Sequence, residues 1–277
     1  MAGRGNDWAA RIILASRALD RGYRLMDAVR SELVLAFCSD ATLERFNDLA
    51  YSHSSEYDPG SSAFRAYLFP WEERVVERFF PPPPARVLVG GAGSGREPFA
   101  LAERGYEVVA FDPSPALAAH MAARAGDDGR IQVFRASYED LPTLSPASGD
   151  RSGPNLTEMP PFDASVIGWG SYSHLRTTEQ RIHTFRAFGT ATTGPVVVSF
   201  LKLARAPGPG RMAGLRRALR ARGGREEGDA FSVHIGYYHV FQDGEVRQLA
   251  ERAELEVVHL NSDDRETNWP HAVLKRR

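Results

Sequence analysis

From Val87 to Glu97 the chain reads Val-Leu-Val-Gly-Gly-Ala-Gly-Ser-Gly-Arg-Glu, a short β-branched strand running into glycines at every second position, Gly91, Gly93 and Gly95. An alanine-bearing helical stretch follows at once, Phe99 to Glu103. A strand that turns sharply into a helix needs glycine for positive φ and for a backbone that a ligand can approach. The amide groups at the start of that helix favour anionic or polar ligand groups. Seventeen residues beyond Gly95, the apolar run Val108-Val109-Ala110-Phe111 ends on Asp112. An acid at that strand tip is placed to accept from ribose hydroxyls, or else to cap the helix that follows Pro113. Together these features predict a parallel α/β fold with a site for a nucleoside-bearing cofactor.

The glycine spacing separates two kinds of cofactor. A dinucleotide fingerprint places a third glycine at the sixth position, where helix and strand must pack closely. Counting from Gly91, that position is Arg96, and the pattern is G-x-G-x-G. This loop, with the order of segments around it, resembles motif I of the class I S-adenosylmethionine-dependent methyltransferases. The resemblance runs from about Pro84 to Lys275, and its specific part is Val87 to Pro113. It implies a Rossmann-like, mostly parallel seven-stranded sheet ending in an antiparallel hairpin, with S-adenosyl-L-methionine as cofactor. An NAD-dependent oxidoreductase and a non-catalytic protein of the same fold are the rival readings.

The remaining pattern agrees with such a sheet. Strands are expected at Arg86–Gly90, Glu107–Asp112, Ile131–Arg135, Ala164–Gly168 and Pro195–Leu201, with helices between them near Pro98–Arg104, Pro115–Ala125 and Thr178–Phe188. Alternation of this kind implies right-handed crossovers. Further on come an extended stretch from Val233 to Phe241, a helix near Gly244–Ala253, and two strands, Leu255–Asn261 and His271–Lys275. Before the sheet, Trp8, Ile12, Ala15, Leu19, Tyr23, Met26, Val29, Leu33 and Phe37 recur at steps of three and four. That is one face of a helix, with a break expected near Gly22. The run Pro81-Pro82-Pro83-Pro84 predicts a seam between an N-terminal helical cap or lid (1–80) and the sheet domain (81–277). Segments 145–161 and 204–230 read as insertions, the first of them long and mobile.

Composition narrows the setting. A net charge of −1 supplies no field to draw nucleic acid or anionic lipid. The arginines between Arg211 and Arg225 stand beside Glu226 and Glu227 and read as a solvated helix. The lone Cys38 cannot close a disulfide, and no Cys/His spacing suggests a metal. Charges throughout the first twenty-one residues argue against a signal peptide or membrane span, so a cytoplasmic protein acting on a small-molecule acceptor is expected. The sequence leaves its oligomeric state open.

The family resemblance also assigns roles. Gly91, Gly93 and Gly95 would hold the methionyl part of the cofactor, and Asp112 its ribose. Ser137 and the amide of Tyr138, after the third strand, would meet adenine. Relatives carry an acid two positions before the first glycine. Here that residue is Val89, so the anchoring the acid gives is absent or supplied elsewhere, with Glu97 the candidate. After the fourth strand, Gly168 would permit close backbone approach, and Trp169 or Tyr172 would lie against the sulfonium. His174 is the candidate general base, since imidazole titrates near neutrality. Tyr57, Tyr172 and Tyr237 are candidate acceptor-pocket residues.

Overall fold

The computed structural model describes residues 8–52, 65–127, 129–146, 154–202, 217–218, 221–223, 225–242, 244–262 and 269–277. Three helices come first: α1 (Trp8–Phe37), α2 (Asp40–Ser52) and α3 (Pro70–Phe79). The sheet then alternates with helices as β1 (Arg86–Gly90), α4 (Arg96–Glu103), β2 (Glu107–Asp112), α5 (Pro115–Ala125) and β3 (Ile131–Arg135). After a two-residue β4 (Ser145–Pro146) come β5 (Ala164–Ile167), α6 (Thr178–Ala191) and β6 (Val196–Ser199). The hairpin β7 (Asp229–Ser232) and β8 (Gly236–His239), α7 (Glu245–Arg252), β9 (Leu255–Asn261) and β10 (His271–Arg276) complete the chain.

The main sheet has the order β4-β3-β2-β1-β5-β6-β10-β9. Its central strands are parallel, while β10 runs antiparallel to both neighbours. The expected seven strands and terminal antiparallel pair are therefore present, with β4 as a short extra antiparallel edge. Period-two alternation sorts the side chains into two layers. Val87 and Val89 of β1 join Val108, Ala110, Trp71, Val75, Phe99, Leu101 and Met121 on the face covered by α3, α4 and α5. Leu88 points the other way, to Val109, Phe111, Phe185, Phe188 and Leu249 under α6 and α7. Each such fully buried aliphatic side chain contributes about 1.5–3 kcal/mol.

Four features depart from the sequence expectation. α1 runs unbroken through Gly22, because a glycine inside a long helix costs only about 1 kcal/mol. α3 precedes the proline run but packs on the sheet, not with α1 and α2. The extended stretch 233–241 contributes only one strand, β8, of a separate hairpin whose other strand is β7. The expected mobile insertion at 145–161 is anchored in its described parts: Leu156 is buried, and its amide donates to Pro142 O at 2.7 Å.

That hairpin fastens α1 and α2 to the sheet. Leu35 and Leu43 pack with Phe231 and Tyr237. At the C-terminal end of α1, the Arg225 guanidinium donates to Leu35 O (3.2 Å) and Cys38 O (3.1 Å), carbonyls that a helix end leaves unpaired. Beneath β8 lies a buried polar cluster. Asp229 Oδ1 accepts from the Tyr237 hydroxyl (2.6 Å) and His239 Nδ1 (2.8 Å), with Arg181 Nη2 at 3.7 Å. His239 Nε2 meets Glu245 at 2.9 Å, and Arg181 Nη1 donates to Glu226 at 2.6 Å. Burial pulls the His239 pKa down, but carboxylates on both ring nitrogens outweigh it and hold the pKa above 6.5. Asp229→Ala should leave Arg181 with Glu226 and His239 with Glu245 but remove the acceptor they share with Tyr237, destabilising the fold by about 1–3 kcal/mol in urea unfolding. The His239 contribution is fully present below pH 6.5 and is lost as pH rises through the raised folded value, a dependence the variant should show more weakly, since Glu245 remains on Nε2.

Candidate active site

Strand order reverses beside β1: β2 and β3 lie on one side, β5 and β6 on the other. In open α/β sheets the crevice at such a point, beyond the C-terminal strand ends, is where ligands bind. The glycine loop leaves β1 there, and the segment Gly168–His174 leaves β5. Gly91, Gly93 and Gly95 all take positive φ, at 61°, 56° and 97°. A Cβ on Gly91 would stand 2.6 Å from Ser171 and from the Tyr138 hydroxyl. One on Gly95 would stand 2.6 Å from the Phe99 ring. Both strain and space therefore require glycine.

Asp112 is buried at the tip of β2. Its Oδ2 accepts from the Gly93 amide (2.8 Å) and its Oδ1 from the Ser114 amide (2.9 Å). Burial pushes its carboxyl up to about 6, although both amides favour the ionised form. The alternative role of helix cap falls to Ser114, whose side chain accepts from the Leu117 amide. Asp112 thus ties the tip of β2 to the middle of the glycine loop.

The sixth position of the loop is now physically explained. Arg96 is buried, with both terminal nitrogens on Glu72 of α3 (2.6 and 2.8 Å) and Nη2 also on Glu97 (2.7 Å). Its guanidinium carbon lies 4.1 Å from the centre of the Phe69 ring. An arginine anchored in this way fills the space that a dinucleotide fold keeps empty with glycine. Glu97 accepts from the Trp169 amide at 3.3 Å as well, so it links the β1 and β5 loops above Val89. Burial raises the Glu72 carboxyl against the opposing pull of Arg96.

The β5 loop crosses the glycine loop backbone to backbone. The Gly168 amide donates to Gly90 O at 2.8 Å, and a Cβ there would lie 2.6 Å from Gly91 O. Gly168 therefore serves the packing of two loops. Trp169 is 40 % exposed and stands against Phe69 and Trp269 (5.1 and 5.5 Å between ring centres). Tyr138 is buried, its hydroxyl 2.7 Å from Ser171 Oγ and its ring against Phe111 and Phe188. The Ser137 hydroxyl donates to Asp140 Oδ2 (2.8 Å), while the Asp140 amide returns to Ser137 Oγ (3.2 Å).

Two tyrosines expected in the acceptor pocket are core residues. Tyr172 is fully buried, stacked between Phe185 (4.5 Å) and Phe241 (5.4 Å). Its hydroxyl donates to Arg181 O at 3.2 Å. Tyr237 turns its side chain into the Asp229 cluster. The 3₁₀ turn after β5 decides the first case, since it turns Tyr172 and Ser173 into the interior and leaves Ser171 and His174 only half-buried. Tyr57 falls outside the described residues.

His174 is held by α2 and β8. Its Nδ1 lies 2.7 Å from Tyr237 O, and its Nε2 lies 2.6 Å from the Tyr51 hydroxyl. Asn47 brackets the same peptide, accepting from Tyr237 N (2.8 Å) and donating to Tyr237 O (3.1 Å). Asn47 Nδ2 also lies 2.9 Å from Nδ1, but it can donate to Tyr237 O, which cannot itself donate; the arrangement that satisfies all three puts the ring proton on Nδ1 and leaves Nε2 as acceptor. Burial lowers the imidazole pKa below 6.5 against the carbonyl's opposing effect. The sequence reading missed Asn47 and Tyr51. Their spacing of four residues on α2 was the available signal, but nothing local pointed it at His174. A groove of about 590 Å³ between α3 and β9 is a separate feature, with neither the glycine loop nor Asp112 in its walls.

A family profile described as "Methyltransferase domain" matches residues 88–151. Among solved structures, the chain is similar to the CcbJ methyltransferase from Streptomyces caelestis, at 14% identity over 83% of this chain and 97% of that one, TM-score 0.51. It is also similar to CalS10, an amino pentose methyltransferase from Micromonospora echinaspora, at 17% identity over 74% and 88% of the two chains, TM-score 0.50. No curated protein matches. Residues 88–151 therefore match a methyltransferase-domain profile, and the fold over most of the chain is the one these methyltransferases share.

Removing Arg96 would leave two buried carboxylates facing each other. Arg96→Met should destabilise the protein by about 3–5 kcal/mol. Glu72→Gln, which keeps the Arg96–Glu97 pair, should cost clearly less in the same thermal or urea unfolding series.

Proposed function

We propose that this protein transfers a methyl group from S-adenosyl-L-methionine to an oxygen or nitrogen of a compact small-molecule acceptor. The observation that carries this reading is the joining of the glycine loop, Asp112 and the His174 turn at one switch point. Asp112 would take the ribose hydroxyls, charge-assisted bonds stronger than neutral ones. Gly91, Gly93 and Gly95 would admit the methionyl part to the loop backbone. The Ser137–Asp140 pair would offer acceptors to the adenine amine, and the Tyr138 amide a donor to the ring. Trp169, the exposed aromatic of the β5 loop, would face the sulfonium, a contact worth about 0.5–2 kcal/mol. The amino pentose that CalS10 methylates supports a small-molecule acceptor. The single Cys38 suits a reducing compartment such as the cytoplasm.

When bound, the sulfonium supplies the methyl group by in-line displacement. The chain's own work is alignment in a water-poor crevice, which accounts for about 7–11 kcal/mol. For a hydroxyl acceptor a proton must also leave. His174, with Nδ1–H fixed on Tyr237 O, would receive it at Nε2 through the Tyr51 hydroxyl. Residues 1–80 would supply Tyr51 to this pair and so act as a cap over the acceptor.

Calorimetry with S-adenosylhomocysteine and NAD⁺ tests the cofactor assignment. The first should bind at about −8 kcal/mol, the second not at all, and Asp112→Ala should abolish binding. Protonation of Asp112 removes an acceptor, so affinity for S-adenosylhomocysteine should fall as pH drops below about 6. Tyr51→Phe should leave that affinity intact yet lower kcat for a hydroxyl acceptor about a hundredfold. Equal turnover by the variant would remove His174 and Tyr51 from the proton path.

A further inference from the structure

α1 carries an apolar stripe that has no role in the site. Trp8, Ile12, Leu19, Met26, Leu33 and Phe37 recur at steps of four and seven, about one and two helical turns, so they line one face for roughly 40 Å. Their exposure runs from 46 % at Leu33 to 75 % at Leu19. The helix is anchored at its C-terminal end, where Leu35 is fully buried against Leu43, Phe231 and Tyr237, while Ile13, Leu14 and Leu25 on its other faces stay exposed. An isolated exposed leucine needs no explanation, but a continuous stripe of this length does.

The order of residues along the stripe identifies its partner. Trp8 and Phe37 are equidistant from the midpoint between Gly22 and Tyr23, as are Ile12 and Leu33, and Leu19 and Met26. The stripe therefore reads the same in both directions. A two-fold axis through that midpoint would set each large residue against a large residue of an antiparallel second helix. Gly22 would face the Tyr23 ring of the other copy, and a Cβ on Gly22 would meet nothing within 4 Å in the single chain. Ala15 would face Arg30, whose guanidinium is paired with Asp27 on its own helix. The glycine and alanine thus stand where the opposing residue is bulky. Self-complementarity of this sort defines an isologous contact. Burying the exposed parts of these side chains removes on the order of 800 Å² from each copy, the size of a stable interface.

We propose that α1 pairs antiparallel with α1 of a second copy of this chain, about an axis between Gly22 and Tyr23. A lipid surface is the competing occupant for an amphipathic helix. The arginines of α1 outnumber its acids, so charge alone would admit such a surface, but a lipid surface gives no reason for the two-way order of the stripe, which a second copy does. The dimer would brace α1, against which α2 with Asn47 and Tyr51 packs, although the proposal does not depend on methyl transfer.

Sedimentation of the full chain at tens of micromolar, with circular dichroism as a control, tests the pairing. The wild-type chain should run as a dimer. Leu19→Glu with Met26→Glu, both at exposed positions, should keep its helicity and weaken dimerisation by about a hundredfold or more. A monomeric wild type, or a dimer that survives the double change, would overturn the proposal. So would a monomer that co-sediments with phosphatidylserine vesicles. Register is tested on a Cys38→Ser background. Leu19→Cys with Met26→Cys should oxidise to a covalent dimer, whereas Leu19→Cys with Leu33→Cys should not. Residues seven apart on one helix are separated by about 10 Å, beyond the roughly 7 Å limit for a disulfide, so the bond must join two chains. Cross-linking only in the second pair would rule out the stated axis.

Discussion

The site rests on a contact between two backbones. Gly168 donates its amide to Gly90 O while lying too close to Gly91 O for any side chain to intervene. This contact brings the loops of β1 and β5 to one place, and everything proposed for catalysis hangs from them. On one loop the positive φ of three glycines turns the chain back over β2, where Asp112 catches the Gly93 amide. On the other, the 3₁₀ turn carries His174 out to the helices of the cap. A methyl at either glycine would separate the loops before any ligand arrived.

Two buried charge clusters brace this crossing from opposite faces of the sheet. Glu72, Arg96 and Glu97 connect α3 to the glycine loop and the β5 loop. Arg181, Asp229, His239 and Glu245 connect α6 and α7 to the β7–β8 hairpin. Such clusters add little net stability over apolar packing, since desolvation offsets most of their attraction. Their value here is directional. Tyr237 is held by Asp229 through its side chain and by Asn47 through its peptide, and its carbonyl then sets the tautomer of His174. The lever from core to candidate base is two residues long.

Much of the sheet was legible because its signals are local. β1, β2, β3 and β9 lie where the β-branched runs predicted them, since short apolar runs bounded by turn residues suit strands covered on both faces. The glycine loop was legible for the same reason: positive φ restricts residue choice at the position itself. The side chains of the acceptor side were not. Tyr172 and His174 are two residues apart in one turn, yet one is core and the other reaches α2. Only the curl of a 3₁₀ turn, set by what packs around it, separates them. Tyr237 looked like a pocket residue because its polar partner, Asp229, is met only across the hairpin.

The sequence alone therefore determined the strand–loop–helix, the acid at the end of β2, the exclusion of a dinucleotide loop by Arg96, and the two-way symmetry of α1. Each is a matter of residue type against backbone geometry or helical repeat, and needs no distant partner. The tertiary structure decided which polar side chains meet: Glu97 with the Trp169 amide, Asn47 with the Tyr237 peptide, Tyr51 with His174. Those pairs join residues 72, 190 and 123 positions apart, and hydrogen bonds are too short and too directional for spacing along a chain to foretell them.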